Sequence, residues 1–353
     1  MSASSLVYRL LFFGFFLSQC QFSLAQLGGN AVFPFLRTDP SATAAAMGGA
    51  VIALPNGDLS TSLPNPATLS HRHHQHVSFN YTNYFGDINF GNVAYAHHFD
   101  REKRKWTLAG QLQYMDYGSF DGYDETGMET GTFTSSDLKF GVYASTQLNE
   151  KWSVGISSKF IYSVLETYIS TGAASDLGFH YRDTQNNLYI GAVYRNIGYQ
   201  LLPYRGTERA PLPSDLSIAA TYKLKHAPFR ITAHLHNLQK WDLTYNYTDP
   251  FNRRISDNNT VIEKRYSLAD KAFRHLNVAT EILLSENFSL RVGYNHQRRR
   301  ELGTAVRMGV AGFSWGIAFK VSKLQLSYGS AGFFPGYNSN LFSIHLNLQE
   351  FYK

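Results

Sequence analysis

Apolar and polar residues alternate one by one along most of the chain beyond residue 75, and no stretch after residue 25 carries a helix-period apolar stripe of any length. Trp106, Leu108, Leu112 and Tyr114 share one face of a strand whose other face carries Thr107, Gln111 and Gln113. Phe229, Ile231, Ala233 and Leu235 oppose Arg230, Thr232, His234 and His236. Phe342, Ile344, Leu346 and Leu348 oppose Ser343, His345, Asn347 and Gln349. The runs last roughly 9 to 14 residues, longer than the strands of a soluble sandwich, and aromatics such as Tyr81, Tyr84, Tyr114, Trp152 and Tyr162 sit near their ends. That combination predicts an all-β fold, a 14-stranded antiparallel transmembrane β-barrel.

The strands are expected near 75–85, 89–99, 104–117, 136–147, 151–165, 174–182, 186–196, 214–224, 228–238, 274–284, 286–298, 306–320, 323–331 and 340–349. The connections test this count independently. Those after even-numbered strands are short, whereas Gly118 to Ser135, Ile197 to Pro213 and Gln239 to Arg274 follow odd-numbered strands and are long. An even strand number places both ends of the barrel in the periplasm, with short turns there and longer loops outside.

The first residues behave differently. Residues 1–25 carry one positive charge at Arg9, an apolar run from Leu10 to Leu17 and a small-x-small end at Ser23-Leu24-Ala25, the signature of a signal peptide. Cys20 lies within it, and the bulky Gln19 before it argues against lipidation there. Residues 26–74 do not alternate; with Ser41 to Gly49 and Leu63-Pro64-Asn65-Pro66-Ala67 they are expected to form a hatch folded into the lumen of a barrel domain spanning 75–353. A free periplasmic tail is the alternative.

Composition narrows the function. The chain has 32 basic and 26 acidic side chains, a net charge of +6, and aromatics at 15 %. For an exported protein this favours contact with anionic lipid and lipopolysaccharide, and no nucleic acid partner is expected. Cys20 is the sole cysteine, so the exported chain has neither disulfides nor a thiol site. Neither a Gly-x-Ser-x-Gly elbow, a His-Glu-x-x-His motif nor a phosphate loop is present, so the chain is read as no enzyme and as needing no cofactor.

The Asn65-Pro66-Ala67 triplet ahead of fourteen strands resembles the hatch motif of the FadL superfamily of outer-membrane proteins. Further segments sharpen the resemblance: Gly28-Gly29-Asn30, Tyr117 to Gly122 running into Asp124 to Gly127, Tyr194 to Gly198, His226 to Arg230, His236-Asn237-Leu238 with Trp241-Asp242-Leu243, and Gly293-Tyr294-Asn295 before Arg298 to Leu302. Together they resemble the PorQ group, FadL-like barrels of the type IX secretion system of Bacteroidetes. The resemblance implies a part in the cell-surface attachment complex, holding a PorZ-like surface protein beside PorV and PorU, where cargo is joined to lipopolysaccharide. The alternative is a FadL-type transporter of hydrophobic compounds, against which the polar inward faces weigh. Many outer-membrane chains finish on an aromatic residue, and Lys353 departs from that.

Three clusters are candidate sites. The stretch Gly118 to Ser135 reads as a glycine-rich surface loop in which Asp121, Tyr123, Asp124 and Glu125 contact a partner; its carboxylates lack the spacing of a calcium loop. Arg298, Arg299 and Arg300, at the outer end of the eleventh strand, suit lipopolysaccharide phosphates, with a solvated charge run as the plain alternative. His73, His74 and His76, with His97-His98 nearby, are weak metal candidates better read as polar rim residues, so no metal is expected. Gln239 to Arg274, the longest connection, is the first choice for docking.

Overall fold

The computed structural model describes residues 31–39, 41–55, 58–84, 86–101, 104–244, 266–302, 309–334 and 337–351. The expected leader, with Cys20, lies outside these, as do residues 245–265 of the longest loop and Lys353.

Fourteen strands occur among the described residues: β1 His76–Asn83, β2 Asn89–Arg101, β3 Arg104–Tyr123, β4 Glu129–Gln147, β5 Trp152–Leu165, β6 Tyr168–Asp183, β7 Leu188–Leu202, β8 Asp215–Lys223, β9 Phe229–Leu235, β10 Leu276–Leu283, β11 Phe288–Asn295, β12 Phe313–Val321, β13 Leu324–Phe334 and β14 Tyr337–Asn347. Each pairs antiparallel with its sequence neighbours, and β1 closes on β14 from His76↔Asn347 to Asn83↔Asn340, so the sheet is a closed barrel. Closure removes every edge within the bilayer, where an unpaired backbone group would find no water. The chain is thus an outer-membrane multi-pass barrel.

The alternation sorts the side chains as its physics requires. Ser78, Asn80 and Thr82 of β1 are buried inward while Phe79 and Tyr81 are exposed outward. The same division gives Gln111 and Gln113 against Leu108 and Leu112, and Ser157 and Lys159 against Ile156 and Phe160. At one end the six connections between strands span only two to five residues; at the other lie the long connections 203–214, 236–275 and 296–312. The short-turn end, which also holds the start of β1 and the end of β14, is the periplasmic one.

Several boundaries differ from the sequence expectation. β3 runs to Tyr123 and β4 starts at Glu129, so Gly118 to Ser135 is mostly a β-ribbon and only 124–128 forms its tip. β6 starts at Tyr168, and β7 continues to Leu202. These extensions lie toward the outer end; on the β3–β4 ribbon both faces are exposed, whereas the β6 and β7 extensions keep Ser170 and Gln200 buried inward. β11 stops at Asn295, whose side chain accepts from the Arg298 amide (2.8 Å) and caps a helix, His296–Leu302. The start of β12 moves accordingly to Phe313.

The strands are unequal. At about 3.3 Å per residue and a tilt near 40°, the twenty residues of β3 rise roughly 50 Å, twice the ~25 Å apolar band, whereas the eight of β10 rise about 20 Å. A tall wall, β3 to β7, therefore faces a short one, β8 to β12.

Candidate functional site

Residues 41 to 74 form α1 (Ala42–Ala46), α2 (Leu59–Ser62) and single 3-10 turns at Pro66–Thr68 and His71–His73. Ser41 caps α1 and Asp58 caps α2, the latter by accepting from the Thr61 amide at 2.9 Å. The Ala42 amide donates to Ser343 Oγ of β14, Ser314 Oγ of β12 to the Ala46 carbonyl, Arg291 Nη1 of β11 to Thr43 Oγ1, Asn80 Nδ2 of β1 to Ser60 Oγ, and Ser153 Oγ of β5 to the Ala67 carbonyl. One stretch that meets inward-pointing side chains on so many strands of a closed wall lies on the lumen side of it.

The Asn65-Pro66-Ala67 turn shows how this contact is built. Asn65 is fully buried; its Nδ2 donates to the carbonyls of Ile52 (2.9 Å) and Phe179 (3.2 Å), and its Oδ1 accepts from the Ala67 amide (3.2 Å). Pro66 takes the first position of the 3-10 turn, where its missing N–H costs nothing. The wall facing the turn is made of glycine. A Cβ at Gly155 would stand 2.4 Å from the Ala67 nitrogen, one at Gly178 2.2 Å from Asn65 Oδ1, and one at Gly191 2.2 Å from the Ile52 carbonyl. Gly155 and Gly178 are cross-strand partners on β5 and β6. Sequence reasoning found the triplet and missed its seat; the available signal was glycine at inward positions inside long strands.

On the short wall the same segment is met by charge. Glu281 of β10 accepts from Arg230 Nη1 (2.8 Å) and Arg291 Nε (3.0 Å), and Arg291 reaches on to Thr43. Beyond that wall, Asp58 lies 3.4 Å from Nε2 of His345 on β14 and accepts from Thr43 Oγ1. On the tall wall, toward the outer end, Phe33, Phe35 and Leu36 pack with Phe90, Met115, Ile161 and Leu212.

The four partner candidates sit on the outer ribbon. β2 pairs with β3 only as far as Asn89↔Asp116, and β5 with β4 only from Ser135↔Leu165. Above those points Ser119↔Thr134, Phe120↔Phe133, Asp121↔Thr132 and Gly122↔Gly131 pair with each other; the Glu166 amide still reaches the Thr134 carbonyl (3.1 Å), and beyond it both edges of the ribbon are open. Gly118, at a positive φ of 80°, absorbs the register shift where the ribbon leaves the barrel. Phe120 and Phe133 stack with ring centroids 5.3 Å apart, and Tyr123 and Met128 are 63 % and 68 % exposed at the tip. From Gly118 to Ser135 there are four acidic side chains and no basic one. Asp124 shapes the turn at the tip, where its Oδ1 accepts from the amides of Thr126 (2.8 Å) and Met128 (2.9 Å). The bond from the Thr126 hydroxyl, with those from the amides, holds its carboxyl below the usual range. Asp121, Tyr123 and Glu125 are all exposed.

The arginine triplet is not brought together. On a helix, consecutive side chains point about 100° apart. Arg298 lines the lumen, Arg299 donates to the carbonyls of Gly309 and Ala311, and Arg300 pairs with Asp270 at 2.5 Å. Through Asp270, Arg300 is tied to α3 (Leu268–Phe273), where Arg274 bonds the other carboxylate oxygen. Trp241, 59 % exposed, stacks on His275 above the same face.

The histidines lie at the periplasmic rim. His73 Nδ1 accepts from the Ser70 amide and its Nε2 meets Ser62 Oγ at 3.1 Å, so both nitrogens are engaged. His74 Nδ1 accepts from the His98 amide, its ring 4.5 Å from that of His97, and His76 lies 6.2 Å from His73. Among the described residues, no three His, Cys, Asp or Glu side chains are placed to hold a metal ion.

Comparison with solved structures returns outer-membrane channels. The Pseudomonas putida toluene transporter TodX is 13 % identical, with 86 % of this chain and 96 % of TodX covered and a TM-score of 0.47. A Pseudomonas aeruginosa FadL homologue is 11 % identical, with 87 % and 98 % covered and a TM-score of 0.45, and the CymD monoaromatic hydrocarbon channel is 13 % identical, with 89 % and 97 % covered and a TM-score of 0.49. No curated protein matches the chain. Residues 27–224, more than half of the sequence, match the family described as type IX secretion system protein PorV, and they take in the inserted segment, its glycine seat and the whole tall wall. The chain belongs to the PorV family of type IX secretion system proteins.

Proposed function

We propose that this barrel is a non-catalytic, PorQ-like component of the type IX attachment complex, in which residues 26–74 act as the hatch and the outer ribbon holds a PorZ-like surface protein beside PorV and PorU. The observation that carries this reading is the ribbon of residues 117–135. Between residues 119 and 133 both edges are open, one aromatic pair stiffens it, and an acidic, aromatic tip stands clear of the membrane. A binding site of that kind offers backbone for strand addition and rigid aromatic anchors. Trp241 and Arg300 on the opposite rim supply a second contact, with Arg300 also suited to lipopolysaccharide phosphate.

A transporter of hydrophobic compounds is the second reading, favoured by the apolar cluster around Phe33, Phe90 and Ile161. Weighing against it, that cluster is filled by the chain's own Phe33, Phe35 and Leu36, and the inner wall otherwise presents Ser, Thr, Gln, Asn, His and ion pairs.

A photo-crosslinking residue in place of Tyr123, in the native outer membrane, tests the proposal. The expected product is one dominant adduct with a surface protein, absent when the same residue replaces Phe319 on the lipid face. Equal labelling at both positions contradicts it.

A further inference from the structure

A cavity of about 290 Å³ lies on the outer side of the inserted segment, between residues 36–51 and the inner faces of β7 to β11. Its lining holds an unusual concentration of buried polar atoms without a hydrogen-bond partner: both ring nitrogens of His234, Nε2 of His236, Oδ1 of Asn277 and Oδ2 of Asp39. His234 is 2 % exposed, Asn277 3 % and His236 7 %. Native proteins leave few such groups unmatched, and four side chains converging on one space mark a place where something else completes the bonding.

The charge of the lining says what that something is. The Arg195–Asp215 pair lies along it, and the guanidiniums of Arg37 and Arg298 add positive charge to the same space. Guanidinium pairs in parallel with carboxylate or phosphate oxygens. Asp39 Oδ2 and Asn277 Oδ1 are acceptors and call for hydroxyl donors, and neutral imidazoles serve either way. The volume has room for about ten waters, or for one solute of monosaccharide size, and is small for a drug-sized ligand. We infer that this cavity binds one small hydroxylated anion, of the class of a sugar acid or sugar phosphate. Such binding is independent of the ribbon and of whichever protein docks there.

The test is calorimetric titration of the full-length barrel in detergent with glucuronate, with glucose and inorganic phosphate as comparison probes. Glucuronate is expected to bind at least about tenfold more tightly than either, since only it offers both charge and hydroxyls. Arg37→Gln and Asn277→Asp are each expected to weaken it by about tenfold or more. Arg37 is exposed to the cavity and outside the strands, so its variant keeps the barrel, which heat-modifiable migration verifies. Tyr123→Ser leaves binding unchanged. Folded wild-type protein that takes up no glucuronate at millimolar concentration overturns the inference, as does binding indifferent to both cavity variants. Phosphate binding as tightly as glucuronate overturns it too, by reducing the cavity to a general anion trap.

Discussion

The tall wall, β3 to β7, and the short wall, β8 to β12, both seat the inserted segment on glycine, Gly293 and Gly316 against residues 46–48 on the short one, but the short wall adds a charged contact to it. The tall wall meets it with bare backbone, glycine against the Asn65-Pro66-Ala67 turn. On the short wall, the Arg230–Glu281–Arg291 group reaches Thr43. Steric seating demands the right absence of side chains and tolerates no added carbon. Electrostatic seating demands complete pairing and tolerates no lost partner. Only the tall wall carries chain far beyond the bilayer, so the docking surface shares strands with the glycine seat of the Asn65-Pro66-Ala67 turn, while the Arg230–Glu281–Arg291 group stands apart from both.

The largest effect is expected from Glu281→Ala, which strands two buried guanidiniums; breaking a buried ion pair from one side costs about 3–5 kcal/mol. The urea midpoint of the barrel in detergent reads this, and Glu281→Gln should recover part of it. Next comes Gly178→Val, which drives a side chain into Asn65 and costs about 3 kcal/mol as overpacking. Hydrogen exchange should show lost protection at residues 65–68 while α1, held by β12 and β14, keeps its own. A smaller effect, about 2 kcal/mol, is expected for Asn65→Ala, which leaves the Ile52 carbonyl and the Ala67 amide unmatched. Phe120→Ser with Tyr123→Ser should leave stability within about 0.5 kcal/mol, because both lie outside the packed barrel, yet weaken partner capture by about tenfold or more.

The smallest effect concerns the rim. Burial, then the neighbouring Arg72, lowers His71 from 6.5, and burial, then His97, lowers His74. Because the folded state holds these protons less tightly than the unfolded one, their contribution is present above pH 6.5 and is lost as pH falls below it. Both rings are largely solvated, so the melting temperature should drop only slightly between neutral and mildly acidic pH, and less in a His71→Asn, His74→Asn variant.

The strand count was legible because each strand keeps an apolar face toward lipid, and Phe79, Tyr81, Phe342 and Ile344 stand out against Ser78, Asn80, Ser343 and His345. The ribbon was illegible as strand for the converse reason. Beyond the bilayer Asp121, Thr130, Thr132 and Thr134 need no apolar alternate, and Gly118, Gly122, Gly127 and Gly131 read as loop. The helix His296–Leu302 was hidden because its run of arginines has no apolar stripe, and its cap, Asn295, closes a convincing strand. Gly155, Gly178 and Gly191 look like weak strand residues until the backbone opposite them is seen.

The ribbon's role as holder of a surface partner is tested most directly by affinity capture of the tagged barrel from its own outer membrane in mild detergent, beside a variant in which residues 118–134 are replaced by a tight turn. The intact barrel is expected to bring down a surface protein in stoichiometric amount, and the shortened barrel, equally folded and inserted, is expected not to. Equal recovery from both would contradict that role, and an intact barrel emerging alone with a bound hydrophobic compound would move the transporter reading to the front.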